Sequence, residues 1–426
     1  MPVMRNIKTL YQCLDEGGQG DVQPIDDAAL VWHGDTITWV GKEIDLPSDG
    51  VEGLNDGEAH DAKSCFVIPG LIDCHTHLCF GGWRGDEFAM RSKGADYLEI
   101  AKQGGGIMKT VRQTREATED KLYRHGASHL HAMRCRGVTT VECKSGYGLT
   151  LEDELKLLRV YRRLADAADQ PVRIVSTLLG AHVVPPEFKD NRPGYLDLLC
   201  DELIPQVAEQ GLARFNDVFV EDGAFTPDEA RRVLMCGKRH GLMPKLHVDQ
   251  LCDGGGAELA AEVGAVSADH LEYTNAQGIQ AMASAGVVAV ALPMASLMLR
   301  QPPLDARRFI DAGVPIAVAT DFNPGSAPCD DLQHSMTLAC VMNCMSPAEV
   351  LKGVTIYAAK AIGLGDLVGS LRPGMKADFL RMFSPNASID DALYRFHTAH
   401  PLGGTYLGGK AINRKFGNPL ESLRNA

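Results

Sequence analysis

The sequence predicts an α/β protein, a (β/α)₈ TIM-type barrel with a small β-sandwich domain built from both termini. From about residue 66 onward, apolar β-branched runs alternate with longer amphipathic stretches, which is typical of parallel strands covered by helices. Eight such units follow in roughly 300 residues, a length that suits a closed barrel. No GxGxxG follows the first run, which disfavours a doubly wound dinucleotide-binding sheet.

The two ends of the chain differ from its middle in sequence pattern, with short strand-like segments separated by turn residues. Near the start, two short strands joined at Gly34-Asp35 are predicted from ALVWHGDTITWVGK. The last 60 residues are similar, with the turn-punctuated segments SLRPGMKADFLRMF and GGKAINRKFG. We therefore expect residues 1–65 and 366–426 to form the small β domain and residues 66–365 to form the barrel.

Apolar runs mark the eight barrel strands, and the stretches between them carry helix signals. In LEDELKLLRVYRRLADAAD, for example, Thr150 and Asp153 resemble an N-terminal capping pair. The predicted strands are Phe66–Ile72, Val138–Cys143, Val172–Leu178, Asp217–Val220, Lys245–Val248, Val266–Ala268, Val287–Leu292 and Ile316–Thr320.

Composition excludes several classes of function. The chain has 426 residues, and its 42 Lys and Arg against 55 Asp and Glu give a net charge of −13. This balance argues against binding to nucleic acid or to anionic membranes. The 12 cysteines form no CxxC pair, which favours reduced thiols in a cytoplasmic protein. The start lacks the apolar core of a secretory signal, and the longest apolar stretch, Val287–Leu299, is interrupted by Pro293.

A pair of histidines at the end of the first strand predicts a metal site. His75 and His77 are two residues apart, so on a strand both side chains point to the same face and can share one ion. A second HxH pair, His129 and His131, provides an internal comparison. It lies in a helical pattern, where residues two apart diverge and cannot share a metal.

Polar side chains at the ends of later strands extend this site. His247, His270 and Asp321 end the fifth, sixth and eighth runs, and parallel barrels gather such ends on one face. Three His and one Asp suit one zinc or iron ion with a position left for water. The fourth run has no Lys to bridge two ions, and Lys144, after the second run, suits a structural or surface role. We expect His75, His77, His247 and Asp321 to bind a single Zn²⁺ or Fe³⁺.

Several longer motifs resemble those of a known protein family. The segments HTHLCFGGWRGDEF, GGGI at Gly104–Ile107, KSGYGLTLEDELK, LLGAHVVPPEF, HVDQL, SADHLEY and ATDFNPGSAP resemble the amidohydrolase superfamily and, within it, the imidazolonepropionase family. The likeness extends from residue 66 to about residue 370. The sequence departs from the family in PMASLMLRQPP, which is shorter and less aromatic, and in Gln250, where some members have Glu.

This resemblance implies the hydrolysis of 4-imidazolone-5-propanoate to N-formimidoyl-L-glutamate, the third step of histidine degradation. It implies that Asp321 or His270 is the general base that moves a proton from the attacking water to the departing nitrogen. It further implies that His270 stabilises the developing oxyanion. It also implies that Arg84 binds the propanoate. The other substrate-site residues it implies are Tyr147, His182, Gln250, Asn323, Gly325 and Ser326.

Several alternatives stay open at this point. Another cyclic-amide hydrolase or an amine deaminase on the same barrel would carry the same His and Asp set. A catalytically silent barrel is disfavoured because every expected ligand is present. The Gly104–Gly106 segment suggests a flexible loop near the site, since no Lys-Ser/Thr follows it as in a phosphate-binding loop. For the assembly, a homodimer is the default expectation.

Overall fold

Two sheets of eight strands each organise the residues that the computed structural model describes, which are 1–47, 59–94, 105–395 and 402–412. Every helix among these residues is too short or too polar to cross a bilayer. In chain order the strands are β1 (Val3–Tyr11), β2 (Pro24–His33), β3 (Thr36–Lys42), β4 (Ala59–Asp61), β5 (Phe66–Pro69), β6 (Leu71–Asp73), β7 (Val138–Lys144), β8 (Arg173–Ala181), β9 (Phe215–Val220), β10 (Met243–Val248), β11 (Ser267–His270), β12 (Val288–Ala291), β13 (Ile316–Val318), β14 (Phe379–Met382), β15 (Leu402–Leu407) and β16 (Lys410–Ile412).

Helices fill the connections between the parallel strands, as a barrel requires. Those before β9 are α1 (Gly85–Ser92), α2 (Ile107–Glu116), α3 (Glu119–Cys135), α4 (Leu151–Ala165), α5 (Arg192–Asp197) and α6 (Ile204–Glu209), with a π-helical turn at Leu198–Leu203 between the last two. Those after β9 are α7 (Pro227–Arg239), α8 (Gly256–Val263), α9 (Ala276–Ala285), α10 (Pro293–Leu299), α11 (Ala306–Asp311), α12 (Leu332–Met342), α13 (Pro347–Gly353), α14 (Ile356–Ala361) and α15 (Ile389–Tyr394). The predicted start of α4 is confirmed, since the Thr150 hydroxyl accepts the Asp153 backbone N–H at 3.1 Å.

The parallel sheet runs from β6 to β13 in chain order and confirms the predicted (β/α)₈ barrel. Its ends are joined beyond the two outer strands. Asp321 N donates to His75 O at 3.0 Å, and His77 N donates to Phe322 O at 2.8 Å. Below them, Thr320 N donates to Asp73 Oδ1 at 3.1 Å. The barrel therefore closes through the same segments that carry the predicted metal ligands.

The second sheet combines the two ends of the chain, as expected. Its order is β16-β15-β14-β5-β1-β2-β3, with β4 beside β1, and the predicted β2–β3 hairpin turns at Gly34-Asp35. GGKAINRKFG begins with the turn after β15 and continues into β16, and its part from residue 413 lies outside the described residues.

One predicted strand is divided between the two sheets. Phe66–Ile72 was expected to be a single barrel strand, but Phe66–Pro69 pairs with β1 and β14, and only the part from Leu71 pairs with β7. The change occurs at Gly70, where a Cβ atom would lie 2.4 Å from Thr139 Oγ1. A continuous apolar run could not reveal this, because both halves are buried.

Candidate active site and metal centre

Three histidines and one aspartate converge at the carboxyl ends of the barrel strands. His75 and His77 follow β6, His247 lies near the end of β10, and Asp321 follows β13. One ring nitrogen from each histidine lies within 4.8 Å of the others. Asp321 Oδ1 is 3.4 Å from His75 Nε2 and 3.5 Å from His77 Nε2. The structure thus brings together the four side chains that the sequence predicted as metal ligands.

Two of these histidines are oriented by buried carboxylates. His75 Nδ1 lies 2.6 Å from Asp269 Oδ2, and His247 Nδ1 lies 3.1 Å from Asp217 Oδ1. A carboxylate at Nδ1 accepts that N–H and leaves the lone pair on Nε2, as in metal-binding histidines. In both residues Nε2 is buried and has no hydrogen-bond partner. The donor set therefore fits a metal ion.

The charge state of the histidines agrees with this fit. Burial, followed by the charges of Lys144 and neighbouring imidazoles, lowers the pKa of His75 and His247 well below the usual value. Burial and His182 do the same to the pKa of His77. A metal ligand must be a neutral imidazole, so these rings are ready to bind an ion without losing a proton.

Asp321 and His270, the two residues expected to handle protons, have unusual backbone conformations. Their φ angles are 53° and 80°, a region that non-glycine residues rarely adopt. Such strain is common where a fold holds a functional side chain in place. Burial raises the pKa of Asp321 to about 7. Burial lowers the pKa of His270, but three carboxylates together raise it by more, so the net shift is upward. The main one is Glu272, whose Oε2 lies 3.9 Å from His270 Nδ1, and the others are Asp321 and Asp269.

A cavity of about 170 Å³ opens in front of these groups. Every predicted site residue lines it except His75, which is fully buried. The lining residues are His77, Arg84, Arg91, Ile107, Tyr147, His182, Phe219, His247, Gln250, His270, Leu299, Asp321, Asn323, Gly325 and Ser326.

Arg84 is held at this cavity by a neighbouring carboxylate. Its Nε and Nη2 donate to Glu87 Oε2 at 2.9 and 2.8 Å, so one edge of the guanidinium is already occupied. The remaining nitrogen, Nη1, packs against Gly325, where a Cβ atom would lie only 2.4 Å away. Arg91 lines the same cavity, and its Nη2 donates to Gly325 O at 3.1 Å. Two guanidinium groups therefore meet at one glycine, with Glu87 between Arg84 and the backbone of Gly106.

The other predicted substrate residues differ in how free their side chains are. Asn323 is committed to its own loop, because its Oδ1 accepts the backbone N–H groups of Gly325 and Ser326, both at 2.8 Å. His182 Nδ1 lies 3.0 Å from Gly146 O, which directs the other ring nitrogen away from the backbone. Burial lowers the pKa of His182 to about 4, and its ring stacks on His77 with centroids 5.4 Å apart.

The second HxH pair lies on helix α3, as predicted, and forms no metal cluster with other described residues. His129 Nδ1 pairs with Asp330 Oδ2 at 2.7 Å, whereas His131 is exposed and contacts Arg134. Of the expected loop, Gly104 lies outside the described residues, while Ile107 reaches the cavity.

Sequence reasoning missed four charged groups around the site. They are Asp217 and Asp269 behind the histidines, Arg91 in the cavity, and Lys144. A surface position for Lys144 is wrong, because this residue ends β7 and is fully buried. The available signal was a charged residue within or at the end of an otherwise apolar strand, which is costly unless it is paired.

Comparisons with known proteins identify the family of this chain. The model of the amidohydrolase family matches residues 66–393. An imidazolonepropionase of Geobacillus thermodenitrificans is 50% identical over 380 residues, 89% of each chain, and one of Geobacillus kaustophilus is 51% identical over 86% of each chain. Among solved structures, a 5-methylcytosine deaminase from Klebsiella pneumoniae matches with a TM-score of 0.74 and 16% identity over 98% of each chain, a likeness of fold alone. The chain belongs to the amidohydrolase family and, within it, to the imidazolonepropionase family.

Proposed function

We propose that this chain hydrolyses the cyclic amide of 4-imidazolone-5-propanoate to N-formimidoyl-L-glutamate, a step of histidine degradation. The family relationship supports this reaction. The observation that carries the proposal is one cavity lined both by the metal-type His/Asp cluster and by two arginines, Arg84 and Arg91. A hydrolytic centre combined with a carboxylate-binding corner matches a cyclic amide that bears a propanoate arm.

One Zn²⁺ or Fe³⁺ per chain would be held by His75, His77, His247 and Asp321. A bound ion would lower the pKa of a water molecule toward ~7, so that this water could lose a proton at neutral pH and attack the ring carbonyl carbon. The neutral histidines and the two carboxylates behind them suit such a site, and both metals accept this donor set.

Asp321 and His270 would carry the proton and the developing charge. Asp321 accepts the proton of the attacking water and passes it to the ring nitrogen as the carbon–nitrogen bond breaks. Asp321 Oδ1 lies 3.4 Å from His75 Nε2 and 3.5 Å from His77 Nε2, so this carboxylate would lie beside the proposed metal position and its water. A protonated His270 would donate a hydrogen bond to the carbonyl oxygen as negative charge develops there.

The propanoate arm would bind between the two arginines. Arg84 offers Nη1, since Glu87 occupies its opposite edge, and Arg91 adds a second positive charge. In the described contacts, Glu87 is the only carboxylate that pairs with these two guanidinium groups. One positive charge is therefore left over, and the carboxylate of the substrate would neutralise it. The remaining contacts to the ring would come from Tyr147, His182, Gln250 and Ser326, while Asn323 would hold the loop that carries Gly325 and Ser326.

We also propose that the enzyme is a homodimer that works in the cytoplasm. All 12 cysteines are free thiols, which suits a reducing compartment. The homodimer rests on the general prevalence of twofold assemblies. Light scattering of the purified protein would measure its mass in solution directly.

A substrate panel tests the reaction. The metal-loaded protein is given 4-imidazolone-5-propanoate, a hydantoin and guanine, and the products are identified by mass spectrometry. We expect N-formimidoyl-L-glutamate from the first and at least 100-fold lower kcat/KM for the others. Comparable turnover of guanine, with release of ammonia, would instead assign the chain as a deaminase.

A further inference from the structure

Behind the histidines lies a group of fully buried charges that the proposed reaction does not use. Lys144 Nζ lies 2.7 Å from Asp217 Oδ2, 3.1 Å from Glu142 Oε1 and 3.3 Å from Asp269 Oδ2. All four side chains have 0% exposure. Burial lowers the pKa of an ammonium, but these carboxylates raise the pKa of Lys144 well above its usual value, so the group is charged. One ammonium thus faces three carboxylates: it donates hydrogen bonds to Glu142 and Asp217 and forms an ion pair with Asp269.

Two of these carboxylates are the ones that orient metal ligands. Asp269 Oδ2 contacts both Lys144 and His75 Nδ1. Asp217 uses one oxygen for Lys144 and the other for His247 Nδ1. Lys144 therefore connects two carboxylate–histidine pairs that come from different strands of the barrel.

We propose that Lys144 is a positioning residue of the metal centre, whose ammonium fixes Asp217 and Asp269 so that they orient His75 and His247. Stability alone does not account for it, because buried ion pairs are often no more stabilising than apolar residues of similar volume. Partners of ligating histidines, in contrast, typically contribute 10- to 100-fold to metal affinity. The proposal concerns ion binding and does not depend on which substrate the enzyme uses.

Lys245 provides a matched control in the same interior. Its side chain is equally buried, and Nζ lies 2.8 Å from Glu142 Oε2. Nζ also contacts two backbone oxygens, those of Cys74 at 3.5 Å and Ala361 at 3.3 Å, and lies over the Phe215 ring. Among the described contacts, Lys245 makes no hydrogen bond or ion pair with Asp217 or Asp269, although its charge helps to lower the pKa of Asp269. Removing either lysine deletes a buried ammonium, but only Lys144 touches the carboxylates behind the ligands.

The test compares Lys144→Met with Lys245→Met. Each protein is stripped with a chelator and titrated with Zn²⁺ in competition with a metal-binding dye, and the Co²⁺ form is examined by its visible absorption. We expect both variants to lower the Tm of the stripped protein. Lys144→Met should weaken Zn²⁺ binding by about 10- to 100-fold more than Lys245→Met does, and it should change the Co²⁺ bands at full loading. Equal Zn²⁺ affinities in the two variants would overturn the proposal.

A double-mutant cycle identifies the route of the effect. If Lys144 acts through Asp217, then Lys144→Met combined with Asp217→Asn should lose less Zn²⁺ affinity than the product of the two single losses. Strict additivity would show that Lys144 does not act through Asp217. Should Lys144→Met fail to fold, the Lys144→Met/Glu142→Gln pair removes one positive and one negative charge together. Parental Zn²⁺ affinity in that pair would also overturn the proposal, and weakened affinity would support it.

Discussion

His75 Nδ1 lies 2.6 Å from Asp269 Oδ2, and the opposite nitrogen of the same ring faces Asp321 at 3.4 Å. Asp269 therefore fixes the imidazole at Nδ1 and leaves Nε2 directed toward the proposed metal position. His247 repeats the arrangement with Asp217. This geometry explains why two histidines at the ends of different strands can present their lone pairs to one point without rearrangement.

The first prediction compares the two HxH pairs. His75→Ala should remove the metal and lower kcat by about 1000-fold or more, because it deletes a proposed ligand whose buried Nε2 has no hydrogen-bond partner. His131→Ala should change neither, since His131 is exposed on helix α3. Metal content by elemental analysis and initial rates measure both effects. Similar behaviour of the two variants would refute the distinction between strand and helix pairs.

The second prediction concerns Asp321→Asn. The amide can still contact an ion but cannot move a proton, so kcat should fall more than metal content does. We expect a loss of about 100-fold or more in kcat, as is typical of a missing general base. His270→Ala should likewise lower kcat at constant metal content. An unchanged kcat in metal-loaded Asp321→Asn would remove Asp321 from the proton path.

The third prediction uses the pH dependence of stability in a chelator. Burial raises the pKa of Asp321 in the folded, metal-free protein from 3.8 to about 7, so protonation of this carboxyl favours the folded state. The stability that the protonated carboxyl contributes is present below the unfolded pKa and is lost as pH rises toward 7. At 1.36 kcal/mol per unit, the effect is at most about 4 kcal/mol.

This third prediction is checked by the difference in the free energy of unfolding between the parent and Asp321→Asn. Asp321→Asn, which cannot ionise there, should gain stability relative to the parent as pH rises from about 4 to 7. Urea unfolding at several pH values gives this difference and cancels the contributions of the other groups. A difference that stays constant over this range would contradict the raised pKa.

The fourth prediction separates the proposed propanoate-binding residues, Arg84 and Arg91, from the metal centre. Arg84→Ala should lower kcat/KM for 4-imidazolone-5-propanoate by about 30- to 1000-fold, the equivalent of about 2–4 kcal/mol, without changing metal content. Arg91→Ala should have a smaller effect in the same direction. Arg84→Lys should recover only part of the activity, because an ammonium lacks the planar fork.

Two controls accompany this fourth prediction. On an imidazolone without the propanoate arm, Arg84→Ala should lose little further activity, and equal losses on both substrates would mean that Arg84 only shapes the loop. Gly325→Ala should resemble Arg84→Ala, since its Cβ would lie 2.4 Å from Arg84 Nη1. Gly85→Ala should be nearly neutral, because a Cβ there meets nothing within 4 Å.

The residues that sequence reasoning found share a local signal. His75 and His77 are spaced for one face of a strand, and His247, His270 and Asp321 end apolar runs, so the barrel rule alone predicts their convergence. Arg84 was assigned by resemblance, and the structure places it in the same cavity.

For the missed residues, the local signal shows at most that a buried charge needs a partner, and it does not identify that partner. Asp217, Asp269 and Lys144 come from three different strands, and their contacts depend on strand order and on the inward or outward direction of each side chain. Arg91 reaches the cavity only because α1 packs near the loop of Gly325. The division at Gly70 likewise depends on a close approach to Thr139, a residue far away in sequence.

The most direct test of the account is a titration of activity with metal. Chelator-treated protein receives Zn²⁺ in steps, and the loss of imidazolone absorbance is followed at each step. We predict no activity in the chelator, a linear rise up to one ion per chain, and a plateau beyond it. Full activity in the chelator, or a rise that continues to two ions per chain, would contradict a single catalytic ion held by His75, His77, His247 and Asp321.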